Sequence, residues 1–243
     1  MLIIKLSSVD STSVFLKQWV QQTKAHTAIG VWAEHQTHGV GRMGTTWYAE
    51  KGKNLTGSVY VGDISMPKEA VFEINKRVCL AVLDTLESEN ISNVKIKWPN
   101  DIVIENKKIG GILVEPILRG NRIIGVVVGC GININQLEFP KLPCATSLAK
   151  VTGKTYAVES LFEDLAKKIE QSIRTETTND DRYLSVLYGV KESCFFEKKD
   201  GNHFTATVMG VAKDGRLILQ YPDGSKEAFE EKKLVFTAFS DCR

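Results

Sequence analysis

Apolar residues along this chain recur with two periods, and the elements follow from them. MLIIKLSSV is short and apolar and predicts a first strand. In DSTSVFLKQWVQQ, Asp10, Ser11 or Thr12 stands where a helix cap belongs, ahead of Val14, Phe15, Trp19 and Val20 at helical spacing. AIGVWAEHQ returns to strand, and TGSVYVGDI predicts another after a glycine-rich stretch. Ser65 and Pro67 open a long helix, PKEAVFEINKRVCLAVLDTLES, with an apolar residue every three or four positions. VKIKWPNDIVI, KIGGILVEPIL and NRIIGVVVGCGINI predict three strands, parted by polar turns at 105–107 and 119–121. Turns this short make hairpins, so this part of the sheet is antiparallel. Helices are expected over 158–173 and near 181–188.

After about residue 191 the pattern changes to short alternating segments: CFFEKK, HFTATVMGVA, RLILQYP, KEAFE and KLVFTAF. Asp200-Gly201, Asp214-Gly215 and Asp223-Gly224 punctuate them, and Asp-Gly between alternating runs is a strong hairpin signal. The expectation is an α+β domain over 1–190 with a mixed, largely antiparallel sheet flanked by helices, then a small closed β-barrel over 191–243. A chain of 243 residues accommodates both.

Composition narrows the function classes. Net charge is +2 with no long Lys/Arg run, which argues against a nucleic-acid stripe. The 5 cysteines are scattered without a C-x-x-C, and the odd count argues against a disulfide framework, hence a cytoplasmic setting. IIGVVVGCGI, the longest apolar run, is half of what a membrane span needs, and the N-terminus lacks the basic region of a signal peptide.

Gly39, Gly41 and Gly44 spell G-x-G-x-x-G, the spacing of a dinucleotide-binding turn. That turn must lead into a helix, and TTWYAEKGKNLTG carries no apolar stripe at helical spacing. TGKT at 152–155 lacks the glycine that a P-loop requires, since position 148 is Leu148. A glycine-rich loop still lines an anion site with its amides, Arg42, Lys51 and Lys53 add charge, and Trp47 offers a flat face for a base; a mobile surface loop is the alternative. KWPND is either an ordinary Pro-Asn-Asp turn or a site with Lys97 on phosphate and Asp101 on magnesium. Gly110-Gly111 beside Lys108, and Gly129 and Gly131 beside Asn133, thin two strands as a closely approaching ligand requires. Ser11 and Thr12 serve a helix cap or a polar neutral ligand, and Gln36 both donates and accepts. The 4 histidines show no metal spacing, and no serine or cysteine nucleophile motif is present. Groups for phosphate without a protein nucleophile suit a reaction in which the substrate supplies the nucleophile, such as a carboxylic acid attacking the α-phosphorus of ATP.

DSTS, QTHGVGRMGTTW, KWPNDI, KKIGGILVE and GCGININ occur in the order seen in biotin protein ligases, and the chain resembles that family over almost its whole length. The resemblance implies a class II synthetase-like catalytic domain with an SH3-like barrel behind it. It implies ligation of biotin, through biotinyl-5'-AMP made from Mg2+-ATP, to one lysine of a biotin carboxyl carrier protein domain. Ser11, Thr12, Ser13 and Gln36 are then expected at the biotin ring, with Gly39, Val40, Gly41, Arg42, Gly110 and Gly111 around the rest of the molecule. Lys108 and Arg42 are the expected catalytic groups. Arg42, Trp47, Lys97, Asn100, Asp101, Lys108 and Asn133 are expected on ATP, with Asp101 on the metal. Val40 and Thr45 stand where the family pattern G-R-G-R-x-G-R-x-W has arginines, and Lys51 or Lys53 is the candidate replacement at the triphosphate. The chain begins at the catalytic domain, so no DNA binding is expected, and the protein is expected as a monomer or homodimer. The loop over 39–53 is expected to be disordered when empty and to close over the adenylate. A lipoate or octanoate ligase or acyltransferase of related fold is the alternative; an apolar acid gives Ser11, Thr12 and Gln36 no ring to recognise.

Overall fold

The computed structural model describes residues 1–140, 142–175 and 177–238. Its larger sheet contains β1 (Leu2–Leu6), β2 (Ile29–Ala33), β3 (Leu55–Pro67), β4 (Lys95–Lys97), β5 (Asp101–Ile104), β6 (Lys107–Arg119) and β7 (Arg122–Ile132), in the spatial order β1-β2-β3-β7-β6-β5-β4. Only the β1–β2 pair is parallel; every other pair in this sheet is antiparallel. The hairpins β5–β6 and β6–β7 turn at 105–106 and 120–121, as the polar breaks predicted, with Glu105, Asn106 and Gly120 in left-handed conformations.

The two-residue period of the strands sorts side chains between two cores. Val59, Val61, Val126, Val128 and Ile112 face α2 (Val71–Ser88) and α4 (Val158–Arg174). Val31, Tyr60 and Val127 face Leu16 and Val20 of α1 (Thr12–Thr23). Gly57 lets α4 approach: a Cβ there would lie 2.4 Å from the Phe162 ring, itself 1% exposed.

Three local expectations are corrected. The expected strand 94–104 is β4 and β5 around a turn at Trp98, Pro99 and Asn100, whose Trp98–Pro99 peptide is cis. The long helix starts at Val71 rather than Pro67, because β3 continues to Pro67, paired with Arg122, and a 3-10 turn at Lys68–Ala70 intervenes. The helix α3 (Leu148–Thr152) was not foreseen; the Ser147 hydroxyl caps it by accepting from Lys150 N. The last helix of this part, α5 (Asp180–Ser185), falls where it was expected, capped by Asn179. Cys144 is disulfide-bonded, contrary to the reading of the cysteines, whereas Cys79, Cys130 and Cys194 are free. No helix among the described residues is long and apolar enough to cross a membrane.

The second sheet holds β8 (Ser193–Lys198), β9 (His203–Val211), β10 (Leu217–Gln220), β11 (Lys226–Phe229) and β12 (Leu234–Phe236), all antiparallel in the order β11-β10-β9-β8-β12. Its three Asp-Gly turns share one chemistry. Asp200, Asp214 and Asp223 each accept the backbone N–H two residues on, and Gly201, Gly215 and Gly224 take the left-handed conformation that glycine adopts without strain. The sheet docks on the larger one through the Trp98 indole, which donates to the Gly215 carbonyl at 2.8 Å, and through Tyr188 packed edge-on against Phe236.

Gly57→Ala tests the α4 contact. Phe162 has no room to withdraw, so the variant is expected to lose about 1–3 kcal/mol of stability in urea denaturation. A midpoint unchanged from wild type would show that α4 does not sit this close.

Candidate active site

Glycine empties one face of the sheet. Gly111 pairs with Gly131 across β6 and β7, and Gly129 lies two residues back on the same face. The result is a cleft of about 500 Å³ between the α1 N-terminus, the 39–47 loop, the turn before β5 and the end of the second sheet. Of the expected site residues, all but Gly39 and Gly110 line it. Gly110 is on the opposite face, where a Cβ would meet the Gly131 carbonyl at 3.0 Å; its role is strand packing. Gly39 lets the loop fold on itself, since a Cβ there would sit 2.5 Å from the Trp47 carbonyl.

The loop is folded into a defined turn. Gly41 N–H donates to the Thr45 carbonyl at 2.7 Å and Trp47 N–H to the Gly39 carbonyl at 2.9 Å, with Val40 bridged to Thr46. The G-x-G-x-x-G spacing therefore serves a tight hairpin: Gly41 has no space for a Cβ beside Thr45, and Gly44 is left-handed. Trp47 then lies over the glycine floor, where a Gly131 Cβ would be 2.4 Å from its ring. The Trp47 Nε1 is buried without an acceptor. Lys51 and Lys53 are exposed and are not among the residues lining the cleft.

One wall is charged. Asp101, at the start of β5, accepts from Lys108 Nζ at 2.6 Å on one oxygen and from Lys97 Nζ at 3.0 Å on the other. Burial alone would raise the Asp101 carboxyl; the two ammonium groups outweigh it and hold the carboxyl below its ordinary value. Lys108 also stands 5.7 Å from the Trp47 ring centroid, within cation–π range. Two ammoniums share one carboxylate, so the cluster carries net positive charge and suits an anion. It does not suit a resident cation. Both Asp101 oxygens already hold lysines, and no group of three His, Cys, Asp or Glu side chains among the described residues could hold a metal ion. In the empty site Asp101 is the counter-ion of both lysines. Arg42, across the cleft, is ion-paired with Glu231 just before β12.

The opposite wall is polar and neutral. Ser11 occupies the N-cap position of α1, but its side chain makes no capping hydrogen bond, so the cap reading of DSTS fails there. Gln36 Oε1 accepts from Thr12 N at 2.8 Å and from Thr12 Oγ1 at 3.0 Å. Thr12 and Ser13 each meet the Ser58 hydroxyl at 2.8 Å. Two expected nucleotide ligands have structural duties: Asn100 Nδ2 donates to the Ile112 carbonyl, and Asn133 Nδ2 donates to the Thr146 carbonyl at 3.0 Å. Cys130 lines the cleft, but burial pushes its thiol up to about 12, so it is not a thiolate nucleophile at neutral pH.

Sequence reasoning missed Ser58 and Glu231. Ser58 carried a weak signal, a serine inside the strand run TGSVYV; Glu231 comes from the second sheet and carried none.

Against known proteins, residues 6–133 match the Biotin/lipoate A/B protein ligase family. The chain belongs to this family. It is 36% identical over 200 residues to the biotin--[acetyl-CoA-carboxylase] ligase of Mycobacterium tuberculosis, covering 77% of this chain and 71% of that protein. It is 27% identical over 206 residues to the bifunctional ligase/repressor BirA of Bacillus spizizenii, covering 81% of this chain and 63% of that protein, so it spans under two thirds of that relative's length. The solved biotin protein ligase of Aquifex aeolicus in complex with biotin and ATP shares the fold, with a TM-score of 0.77 at 24% identity over 97% of this chain and 99% of that one.

The Asp101 cluster has a measurable pH signature. Its folded pKa lies below the unfolded value, near 3.9, so its stabilisation is complete above that value and disappears as pH falls through the folded pKa. Asp101→Asn is expected to be about 2 kcal/mol less stable than wild type at pH 7, with the gap closing below about pH 4 in urea titrations. A gap that stays constant from pH 7 to pH 3 would contradict the assignment.

Proposed function

We propose that this protein is a biotin protein ligase that activates biotin with Mg2+-ATP and transfers it to one lysine of a biotin carboxyl carrier protein domain. The observation that carries this reading is the pairing, in one cleft, of a neutral polar wall with a cationic wall and no protein nucleophile between them. Ser11, Thr12 and Gln36 offer hydrogen bonds to the ureido ring of biotin, and Lys108, Lys97 and Arg42 offer positive charge to carboxylate and phosphate. The Mycobacterium tuberculosis relative bears the name of this activity, and the Aquifex neighbour was solved with both substrates.

In the first step a biotin carboxylate oxygen attacks the α-phosphorus. The P–O bond to pyrophosphate breaks, and biotinyl-5'-AMP forms. Both reactants are anions, so the protein's contribution is to hold them together against their repulsion and to neutralise the charge that builds on the phosphoryl oxygens. Lys108 is the group for this role, since it lies over the glycine floor between the two walls, and Asp101 aims it. Arg42 joins after leaving Glu231. Trp47 supplies a stacking face for adenine. In the second step the carrier lysine amine attacks the acyl carbon and AMP leaves with its oxygen. Magnesium enters with the nucleotide as part of the substrate. The five-stranded second sheet serves as the core of an SH3-like barrel domain assigned to 191–243, behind a catalytic domain of 1–190, in a monomer or homodimer.

Labelled biotin, a carrier domain and Mg2+-ATP test the reading: ATP-dependent label on the carrier is expected, and label from lipoate in place of biotin would move the assignment to the other branch of the family. Lys108→Ala is expected to lower biotin-dependent pyrophosphate exchange by about 10²–10³-fold. Exchange within twofold of wild type would remove Lys108 from its role.

A further inference from the structure

The polar wall is a proton-ordered chain, and Ser58 is its hub. Gln36 Oε1 faces the backbone N–H of Thr12, which can only donate, so the amide orientation is fixed and Gln36 Nε2 is turned the other way. Thr12 Oγ1 must also donate to Oε1, which uses its one proton. The 2.8 Å contact between Thr12 Oγ1 and Ser58 Oγ then needs the Ser58 proton, and the 2.8 Å contact between Ser58 and Ser13 needs the Ser13 proton. All three hydroxyl protons run one way, Ser13 to Ser58 to Thr12 to Gln36. Ser58 is 0% exposed and reaches this wall from β3, a strand that no motif in the sequence marks. The chain also explains Gly129. A Cβ there would lie 2.8 Å from Ser13 Oγ and displace the first hydroxyl.

We propose that Ser58 is the specificity-positioning residue of the biotin site. By donating to Thr12 Oγ1 it gives that hydroxyl a second bond that holds it turned toward Gln36, so Gln36 Oε1 stays engaged by Thr12 and the Gln36 Nε2 donors stay free for a ligand carbonyl. This rests on the biotin ligase reading above. Ser58 itself does not touch the reacting atoms, and it acts through Thr12 and Gln36.

Without the Ser58 hydroxyl, Thr12 Oγ1 loses its donor and Ser13 its acceptor inside a buried wall, and the Thr12 side chain is held against Gln36 by one hydrogen bond instead of two. The test compares biotin with iminobiotin, in which an imine or guanidinium replaces the ureido carbonyl, in pyrophosphate exchange. In Ser58→Ala the KM for biotin is expected to rise about tenfold, or about 1.4 kcal/mol, with the KM for ATP unchanged. The preference for biotin over iminobiotin is expected to shrink by a similar factor, a change that a general loss of packing would not produce. A folded, active Ser58→Ala with wild-type KM and wild-type preference would overturn the proposal. If Ser58→Ala does not fold, Ser13→Ala carries the same test at the far end of the chain. There a shift of about threefold in both quantities supports the proposal and no shift overturns it. A wild-type protein that exchanges no pyrophosphate with biotin would instead sink the ligase reading, so the two failures are distinguishable.

Discussion

The site depends on one carboxylate holding two ammonium groups. Asp101 places Lys108 and Lys97 within 3.0 Å of its two oxygens on one wall of the cleft. Without it, two like charges would repel in partly desolvated surroundings, where water screens them poorly. With it, the cluster is stable in the empty protein and still presents net positive charge to an incoming anion. The second carboxylate, Glu231, plays a comparable part for Arg42. The empty site thus keeps its cations close to acidic partners that phosphate oxygens can replace.

The other constraint is space. A cleft for extended ligands needs a floor without side chains, and Gly111, Gly129 and Gly131 provide it at the middle of a sheet whose reverse face is packed with Val126, Val128 and Ile112. Glycine weakens a strand, so the three sit where neighbouring strands pair on both sides. The helices on the reverse face carry the stability that the cleft face lacks, and close contacts such as Gly57 against Phe162 join the two functions in one sheet.

Much of this was legible from residue order. Alternation, Asp-Gly pairs and helical spacing located the strands, the hairpins and α1, α2, α4 and α5, because each is a local signal tied to a local conformation. The expected site residues converge on one cleft for the same reason: glycines, lysines and hydroxyls stand at strand ends that the sheet brings together. What failed depended on distant partners. Residue order does not show that Lys97 and Lys108 share the oxygens of Asp101. Gly110 was placed on the floor because a one-residue difference of face is set by register with β7. Nor does residue order show that the Asn100 and Asn133 amides hold the Ile112 and Thr146 carbonyls.

The central claim is that an oxygen of the substrate's acid group forms the bond to the α-phosphorus. Biotin labelled with oxygen-18 in both carboxylate oxygens tests it, with mass spectrometry of the nucleotide after one round of transfer to a carrier domain. Attack by the carboxylate leaves one labelled oxygen bridging carbon and phosphorus, and aminolysis at carbon then releases it in AMP. AMP heavier by one oxygen-18 is the predicted result. Unlabelled AMP, or label in inorganic phosphate or pyrophosphate instead, would contradict the account.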